Sequence, residues 1–287
     1  MRHILLATCA AFADGDVDDQ LLIEPLAASN IDASFAVWND PSVDWSQATT
    51  VLRSTWDYTL RRAEFLGWIA AVPALHNPAE IAAWNSDKVY LRELARAGVP
   101  ITPTTVVRPG SALELPADHE FVVKPSVGAG SRGAGRFLPS AREEAATHAT
   151  RLHDAGRTVL IQPYLADVDD AGETALMYFD GAFSHAIRKG PMLTGDTAHD
   201  ISETSGLFLE ENITPREPSA AELAVGNQAV AFLVDRFGEA PLYARVDLLP
   251  CADGPVVIEL ELVEPSLFLS YADGAADRFA ACVAARA

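Results

Sequence analysis

Lysine is nearly absent from this chain. Of its 21 basic residues only Lys88, Lys124 and Lys189 are lysine; arginine supplies the rest. An ammonium is a compact point charge on a flexible stem and a guanidinium is a planar fork, so the three retained lysines mark places where that difference matters. Positive charge as a whole is also short, and 40 acidic side chains bring the formal net charge to −19. Such a field repels nucleic acid and anionic lipid surfaces, which excludes both as general partners. It does not exclude a nucleotide, because a triphosphate site needs only local basic groups and a few carboxylates around magnesium.

Cysteine is equally scarce. Cys9, Cys251 and Cys282 are odd in number, widely spaced and free of any C-x-x-C pair. Neither a disulfide framework nor a zinc cluster fits, and a reducing cytoplasm is the expected compartment. No apolar run reaches the roughly 20 residues needed to span a bilayer. The opening MRHILLATCAAFAD shares features with a signal peptide but falls short of the usual ~15 to 30 residues, and it reads as a buried strand. No convincing Ser-His or Cys-His arrangement points to a covalent nucleophile. What the chain does have is length and apolar content: 287 residues, 49% hydrophobic, enough for a sizeable core in two or three subdomains.

Residues 121–137, FVVKPSVGAGSRGAGRF, organise the rest. An apolar strand ends on Lys124, and Gly128, Gly130, Gly133 and Gly135 follow with only small residues and one arginine between them. Backbone amides without side-chain cover converge readily on phosphate oxygens. The run from Gly128 to Gly133 matches G-x-G-x-x-G, but a dinucleotide fingerprint opens a helix directly after a strand. Here Arg136 and Phe137 read as a returning strand, and the helical pattern starts only at residue 140. A Walker loop places its lysine after the last glycine, and Lys124 precedes the first. Strand, glycine flap, strand remains, with the flap as a lid over a triphosphate; a dinucleotide oxidoreductase stays open as the competing class.

The chain before this loop reads as strands over 3–9, 33–38 and 50–53 with a helix over 18–29, a small nucleotide-fold sheet. Its third strand delivers Arg53, Trp56 and Asp57. Arg53 and Asp57 either hold a charged amino-acid-like substrate or satisfy the cap of the next helix. Helices are predicted over 60–71 and 86–97, the latter capped by Ser86 or Asp87 and stopped at Gly98. Lys88 lies in its first turn, where a cation is better explained by an anionic ligand than by the helix dipole.

Beyond the lid, a strand runs into Gln162, Pro163, Tyr164 and Leu165, followed by an acidic loop and then Glu173. Asp180-Gly181 predicts a hairpin whose return strand ends in Arg188 and Lys189. His185 on that strand reads as an ordinary sheet histidine rather than a ligand or base. The polar stretches 194–196 and 202–206 read as a substrate loop or a solvated one. A helix is predicted over 220–237. In residues 242–249, Arg245 and Asp247 share a face by period two, and in 256–263 Glu259 and Glu261 do the same. Buried carboxylates are costly unless paired or metal-bound, so these three acids predict a magnesium site.

With these motifs in hand the chain resembles the ATP-grasp ligases, the superfamily of D-alanine-D-alanine ligase and glutathione synthetase. The resemblance rests on SDKVYLRELARAGVPITPT, VVKPSVGAGSRGAG, IQPYL, GET and the VDLL and IELEL hairpin, in that order. It implies an α/β (α+β) ATP-grasp fold: an N-terminal Rossmann-like domain over 1–82, a glycine-lid subdomain over 83–165 and a C-terminal metal-binding subdomain over 166–287. It implies ATP and Mg²⁺, two ions, as cofactors. Lys88, Lys124, Gly128, Gly130, Ser131 and Gly133 would meet the phosphates, Gln162 to Leu165 the adenine, and Glu173 or Asp167 the ribose. Lys189, Arg188 and Arg245 would act at the reacting centre, and Asp247, Glu259 and Glu261 would hold metal. Glu261 stands where the family usually has asparagine, and Glu264-Pro265-Ser266 replaces the common Pro-Gly, so Glu264 serves metal or substrate. The RSTWDY, HAIRKGP and ELELVEPSLFL segments are similar to the ring-closing ligases of D-cycloserine biosynthesis, which activate O-ureido-D-serine. That likeness implies a small amino-acid-like substrate met by Arg53, Trp56, Asp57, Glu264 and Ser266, in a cytoplasmic monomer or homodimer. A peptide-type ligase and a non-catalytic ATP-binding module are the alternatives.

Overall fold

A computed structural model describes residues 2–193 and 212–286 and arranges them around three sheets. The first is parallel, in the order β2-β1-β3-β4, from β1 (Arg2–Thr8), β2 (Ile31–Val37), β3 (Thr49–Leu52) and β4 (Leu75–His76). β1 is central, and it is buried from Ile4 to Thr8 without polar alternation, as a strand covered on both faces must be. The single helix expected over 18–29 is instead two, α1 (Val17–Gln20) and α2 (Ile23–Ala28). Pro25 accounts for the break: a continuous helix would need its missing N–H and would crowd the carbonyl of Leu21, whereas in a helix starting at Ile23 it lies in the first turn, where N–H groups have no partner. A 3₁₀ turn (Trp56–Leu60) leads into α3 (Arg62–Ala71), and α4 (Ala79–Asn85) follows β4.

Asp87 caps a second 3₁₀ turn (Lys88–Tyr90) that runs into α5 (Leu91–Arg96), and the chain stops helically at Gly98, φ +84°. The second sheet is antiparallel, in the order β5-β8-β6-β7, from β5 (Thr105–Val107), β6 (Phe121–Pro125), β7 (Gly135–Phe137) and β8 (Val159–Pro163). α6 (Arg142–Asp154) covers one face, where Phe121, Val123, Val159 and Ile161 pack on Ala145, Ala149 and Leu152. Period two therefore turns Val122, Lys124 and Gln162 to the other face. Because β6 and β7 pair antiparallel across the glycine loop, no helix follows the loop and the dinucleotide reading falls away.

After α7 (Val168–Ala171) the third sheet forms in the order β11-β10-β9-β12-β13. Its strands are β9 (Glu173–Phe179), β10 (Ala182–Lys189), β11 (Ile213–Pro215), β12 (Tyr243–Leu249) and β13 (Val256–Glu261). Asp180 (φ +51°) and Gly181 (φ +78°) make the hairpin turn between β9 and β10. α8 (Ala220–Phe237) opens with a capping box from Ser219 and Glu222. α9 (Ala275–Arg286) ties the ends of the chain together: its Phe279 and Val283 share one core with Ile4, Leu6 and Val51 of the first sheet and Met177 and Phe179 of the third. The two polar stretches read as a substrate loop or a solvated one, 194–196 and 202–206, lie outside the described residues.

Candidate active site

The second and third sheets face each other across a cavity that all three lysines of the chain line. Lys88, at the start of its 3₁₀ turn, donates to the carbonyl of Gly128 (2.5 Å) and pairs with Glu259 (2.9 Å). It therefore connects the lid to the carboxylate sheet. Lys189 pairs with Glu173 and with Asp247 (2.8 Å). The side chain of Lys124, at the end of β6, makes no hydrogen bond or ion pair among the described residues, and burial pushes it down to about 8 even though Glu259 pulls the other way. A half-buried ammonium held in that condition gains most from an anion brought to it.

β12 and β13 supply the opposite wall. Their register sets Arg245 beside Glu261 and Asp247 beside Glu259, so four charged side chains share one face. Arg245 donates to Asp247 through Nε (2.9 Å) and Nη2 (2.8 Å) and also pairs with Glu261. Burial alone would raise Asp247, but Arg245 and Lys189 override it and hold the carboxyl well below the usual range. Glu261 goes the other way: burial, with Glu259 and Asp247 close by, pushes it up to about 8 against the pull of Arg245. Burial and Asp247 likewise take Glu173 up to about 7 despite Lys189. Glu259, Glu261 and Asp247 present carboxylate oxygens from one sheet face, a hard donor set that suits magnesium, and a divalent cation would relieve the crowding that raises Glu261, although no preformed group of three metal-type ligands converges among the described residues.

Local sequence explains two placements. Gly172 adopts φ +74°, and a Cβ there would lie 2.5 Å from the carbonyl of Lys189, so only glycine lets β9 start with Glu173 against that lysine. Between Asp247 and Leu248 the register slips by one residue on β13, leaving Ile258 as the extra residue of a bulge. Ile258 and Glu259 consequently both line the cavity, which strict alternation would forbid.

Most of the expected nucleotide residues come together. Gly128, Gly130 and Ser131 line the cavity with Gln162, Pro163, Tyr164, Leu165 and Glu173, while Gly133 and Asp167 do not. Gln162 itself is buried and its amide donates to Thr104 (2.8 Å). Three expected contacts are corrected. Arg188 turns away from the cavity and donates to the carbonyls of Ala171 (2.8 Å) and Asp170 (3.0 Å), because its neighbour Lys189 already occupies the inward face of β10. Arg53 is 2% exposed and locked to Asp19 (2.7 Å), a buried ion pair with no surface left for substrate. Asp57 accepts from the Trp38 indole (2.7 Å) and pairs with Arg61 one turn on, and no side chain among the described residues caps the following helix, so the capping alternative is not what the structure shows either. Trp56 donates to the carbonyl of Glu264 (2.9 Å), Arg53 to that of Pro265 (2.9 Å) and Arg245 to that of Ser266 (3.3 Å), so this loop is held through its backbone. Glu264 is buried, and burial pushes it up to about 7 although Lys88 opposes the shift. His185 donates from Nε2 to the carbonyl of Leu267 (2.9 Å) as a sheet histidine.

Sequence reasoning missed Arg132, Met192, Leu193, Val168, Leu249 and Ile258, all of which line the cavity. Isolated apolar residues carry no motif, but Arg132, the one charge inside the glycine loop, was a visible signal.

Residues 4–85 match the family described as the N-terminal domain of the D-cycloserine synthetase DcsG. Over its whole length the chain is 40% identical to the cycloserine biosynthesis protein DcsG of Streptomyces lavendulae, covering 99% of that protein. The crystal structure of D-cycloserine synthetase DcsG superposes with a TM-score of 0.89 at 38% identity, covering 99% of both chains. D-alanine–D-alanine ligase from Bacillus anthracis shares the fold at a TM-score of 0.67 and 15% identity, covering 100% of this chain and 98% of the ligase.

Proposed function

The chain belongs to the DcsG family of ATP-grasp ligases, and on that premise we propose that it uses ATP to close O-ureido-D-serine to D-cycloserine through an acyl phosphate. The observation that carries this reading is the convergence of every lysine in the chain on one cavity whose far wall is a carboxylate cluster. An oxygen of the substrate carboxylate attacks the γ-phosphorus of ATP and ADP leaves; a nitrogen of the same molecule then attacks the activated carbonyl and phosphate leaves. Atom balance requires removal of the carbamoyl group with one water, as carbon dioxide and ammonia.

The chain's own part is to position and neutralise. Lys88 and Lys124 meet the phosphates with the amides of Gly128, Gly130 and Ser131, Gln162 to Leu165 border the adenine, and Glu173, which lines the cavity where Asp167 does not, accepts the ribose hydroxyls. Lys189 and Arg245 face charge that builds on the transferring group, and Glu259, Glu261 and Asp247, now paired with them and with Lys88, would hold magnesium. Magnesium, when bound, neutralises phosphate oxygens. Glu264, buried against Trp56 and Tyr58 and raised, takes the substrate ammonium. A cytoplasmic location belongs to the same proposal.

The test is magnesium-dependent release of ADP and phosphate, screened over O-ureido-D-serine, D- and L-amino acids and dipeptide precursors. Release specific to O-ureido-D-serine and lost in Lys124→Ala and Glu261→Ala is expected. Release with pairs of amino acids would make it a peptide ligase, and ATP binding with no stimulation by any compound would make it a non-catalytic nucleotide binder.

A further inference from the structure

Five cations line the cavity: Lys88, Lys124, Lys189, Arg132 and Arg245. Lys88, Lys189 and Arg245 have carboxylate partners. Lys124 belongs to the sheet floor under the phosphates. Arg132 differs from all of them, since it sits at the tip of the lid, is half-buried and makes no ion pair among the described residues. Its one side-chain hydrogen bond among the described residues is donated by Nη2 to the hydroxyl of Thr59, 3.1 Å away and in the N-terminal part of the chain. A guanidinium has five N–H donors in a fixed fork, so most of them remain for a ligand.

The place it reaches is informative. Thr59 is buried in the 3₁₀ turn Trp56–Leu60, and two other residues of that turn hold Glu264: the Trp56 indole donates to its carbonyl, and Tyr58 hydrogen-bonds its carboxyl. One turn is therefore flanked by a buried carboxyl and by a guanidinium that makes no ion pair among the described residues; Asp57 of the same turn acts on Arg132 through its charge but spends its carboxylate on Trp38 and Arg61. A zwitterionic amino acid carries the matching pair of charges. Gly130 (φ +60°), Ser131 (φ +55°) and Gly133 (φ +74°) curl the lid tip so that the Arg132 side chain leaves the lid toward this turn.

We propose that Arg132 is a specificity residue whose guanidinium binds the carboxylate of the amino-acid substrate, with Thr59 as the fixed point that aims it. The assignment rests on the ligase reading given above and deepens it: the carboxylate to be phosphorylated is presented from the lid side, next to the phosphates, while Glu264 takes the ammonium on the other side of the turn. Arginine suits this position because a carboxylate accepts two parallel N–H bonds from the fork, which lysine does not offer.

Steady-state kinetics with ATP and O-ureido-D-serine tests it in Arg132→Ala, Arg132→Lys and Thr59→Val. The KM for O-ureido-D-serine is expected to rise about 10- to 100-fold in Arg132→Ala, the range lost with a charge-assisted hydrogen bond, while the KM for ATP stays within about threefold. Added guanidinium ion is expected to restore part of the activity of Arg132→Ala, Arg132→Lys to recover only part of the affinity, and Thr59→Val to stay well below the effect of Arg132→Ala. Equal loss of both KM values, or a Thr59→Val defect as large as that of Arg132→Ala, would make Arg132 a latch of the lid and overturn the proposal. Should Arg132→Ala fail to fold, Arg132→Lys is decisive: an unchanged KM for O-ureido-D-serine overturns it. A wild-type enzyme silent on O-ureido-D-serine overturns the substrate reading and this assignment with it, whereas an active wild type matched by Arg132→Ala overturns the assignment alone.

Discussion

The two walls of the site carry charge in opposite ways. On β12 and β13, with Lys189 at the end of β10, each cation is held by carboxylates at salt-bridge distance. On the lid side Lys124 has no such partner among the described residues and Arg132 has only a hydroxyl. The sheet wall is thus stabilised by its own charges and arrives preorganised, while the lid wall keeps its cations for an anion that comes and goes. Buried pairs are costly to break and unpaired buried charge is costly to keep, so the two walls should respond to substitution with opposite signs in stability and the same sign in activity.

The largest expected effect is that of Asp247→Ala. It takes from Lys189 and Arg245 the carboxylate they share, and breaking a buried charge network in this way costs about 3–5 kcal/mol. Chemical denaturation should show a lower midpoint, with activity lost as well; a loss of stability under about 1 kcal/mol would mean the sheet wall does not depend on its pairing. Lys124→Ala should reverse the first half of that result. Turnover is expected to fall about 10²- to 10³-fold, yet thermal stability should hold or rise, because a half-buried ammonium, unpartnered among the described residues and pushed down to about 8, is a cost to the folded protein. A melting temperature that drops several degrees would erase the contrast between the walls.

Gly133→Ala tests the lid's backbone rather than its charge. The residue adopts φ +74°, where a Cβ costs about 1 kcal/mol. A rise of about fivefold in the KM for ATP is expected, with the unfolding midpoint of the third sheet unmoved; an unchanged KM would show that the lid tip tolerates another conformation while binding nucleotide.

How far the sequence could be read follows the same division. The lid was legible because glycine content, the position of Lys124 and a returning strand are local signals, and the structure pairs β6 with β7 as they require. Arg245, Asp247, Glu259 and Glu261 were legible as one face through period two, and the register agrees. Their partners were not: the pairing of Glu259 with Lys88, about 170 residues away in the chain, depends on how two sheets approach. Arg53 and Asp57 misled for a related reason. They stand at a strand end beside the site edge, but tertiary packing gave each a structural partner, Asp19 and Arg61. The bulge that turns Ile258 inward left no sequence signal, because an extra residue in an apolar strand reads as alternation.

The smallest effect concerns what anchors the lid to its own subdomain. His148 of α6 is buried, its Nε2 lies 2.9 Å from the carbonyl of Gly133 and its Nδ1 lies 3.1 Å from Nη2 of Arg151. Gly133 offers only an acceptor and Arg151 only donors, so the ring is neutral with its proton on Nε2. Burial lowers its affinity for a second proton; the Gly133 carbonyl opposes that shift in part, and Arg151 adds a further lowering. The unfolded chain therefore binds more protons than the folded one near and below pH 6.5, and stability present above that pH is lost as the pH falls through the folded value. His148→Gln keeps a donor for Gly133 and removes the titration. Comparing unfolding at pH 7.5 and 5.5, the wild type should lose up to about 1 kcal/mol more than His148→Gln on acidification, and the difference should appear in amide exchange of β6, β7 and α6 rather than of β12 and β13. Equal acid sensitivity in the two proteins, or a difference centred on the paired carboxylates of β12 and β13, would place the acid-labile element in the wall that its charges were thought to secure.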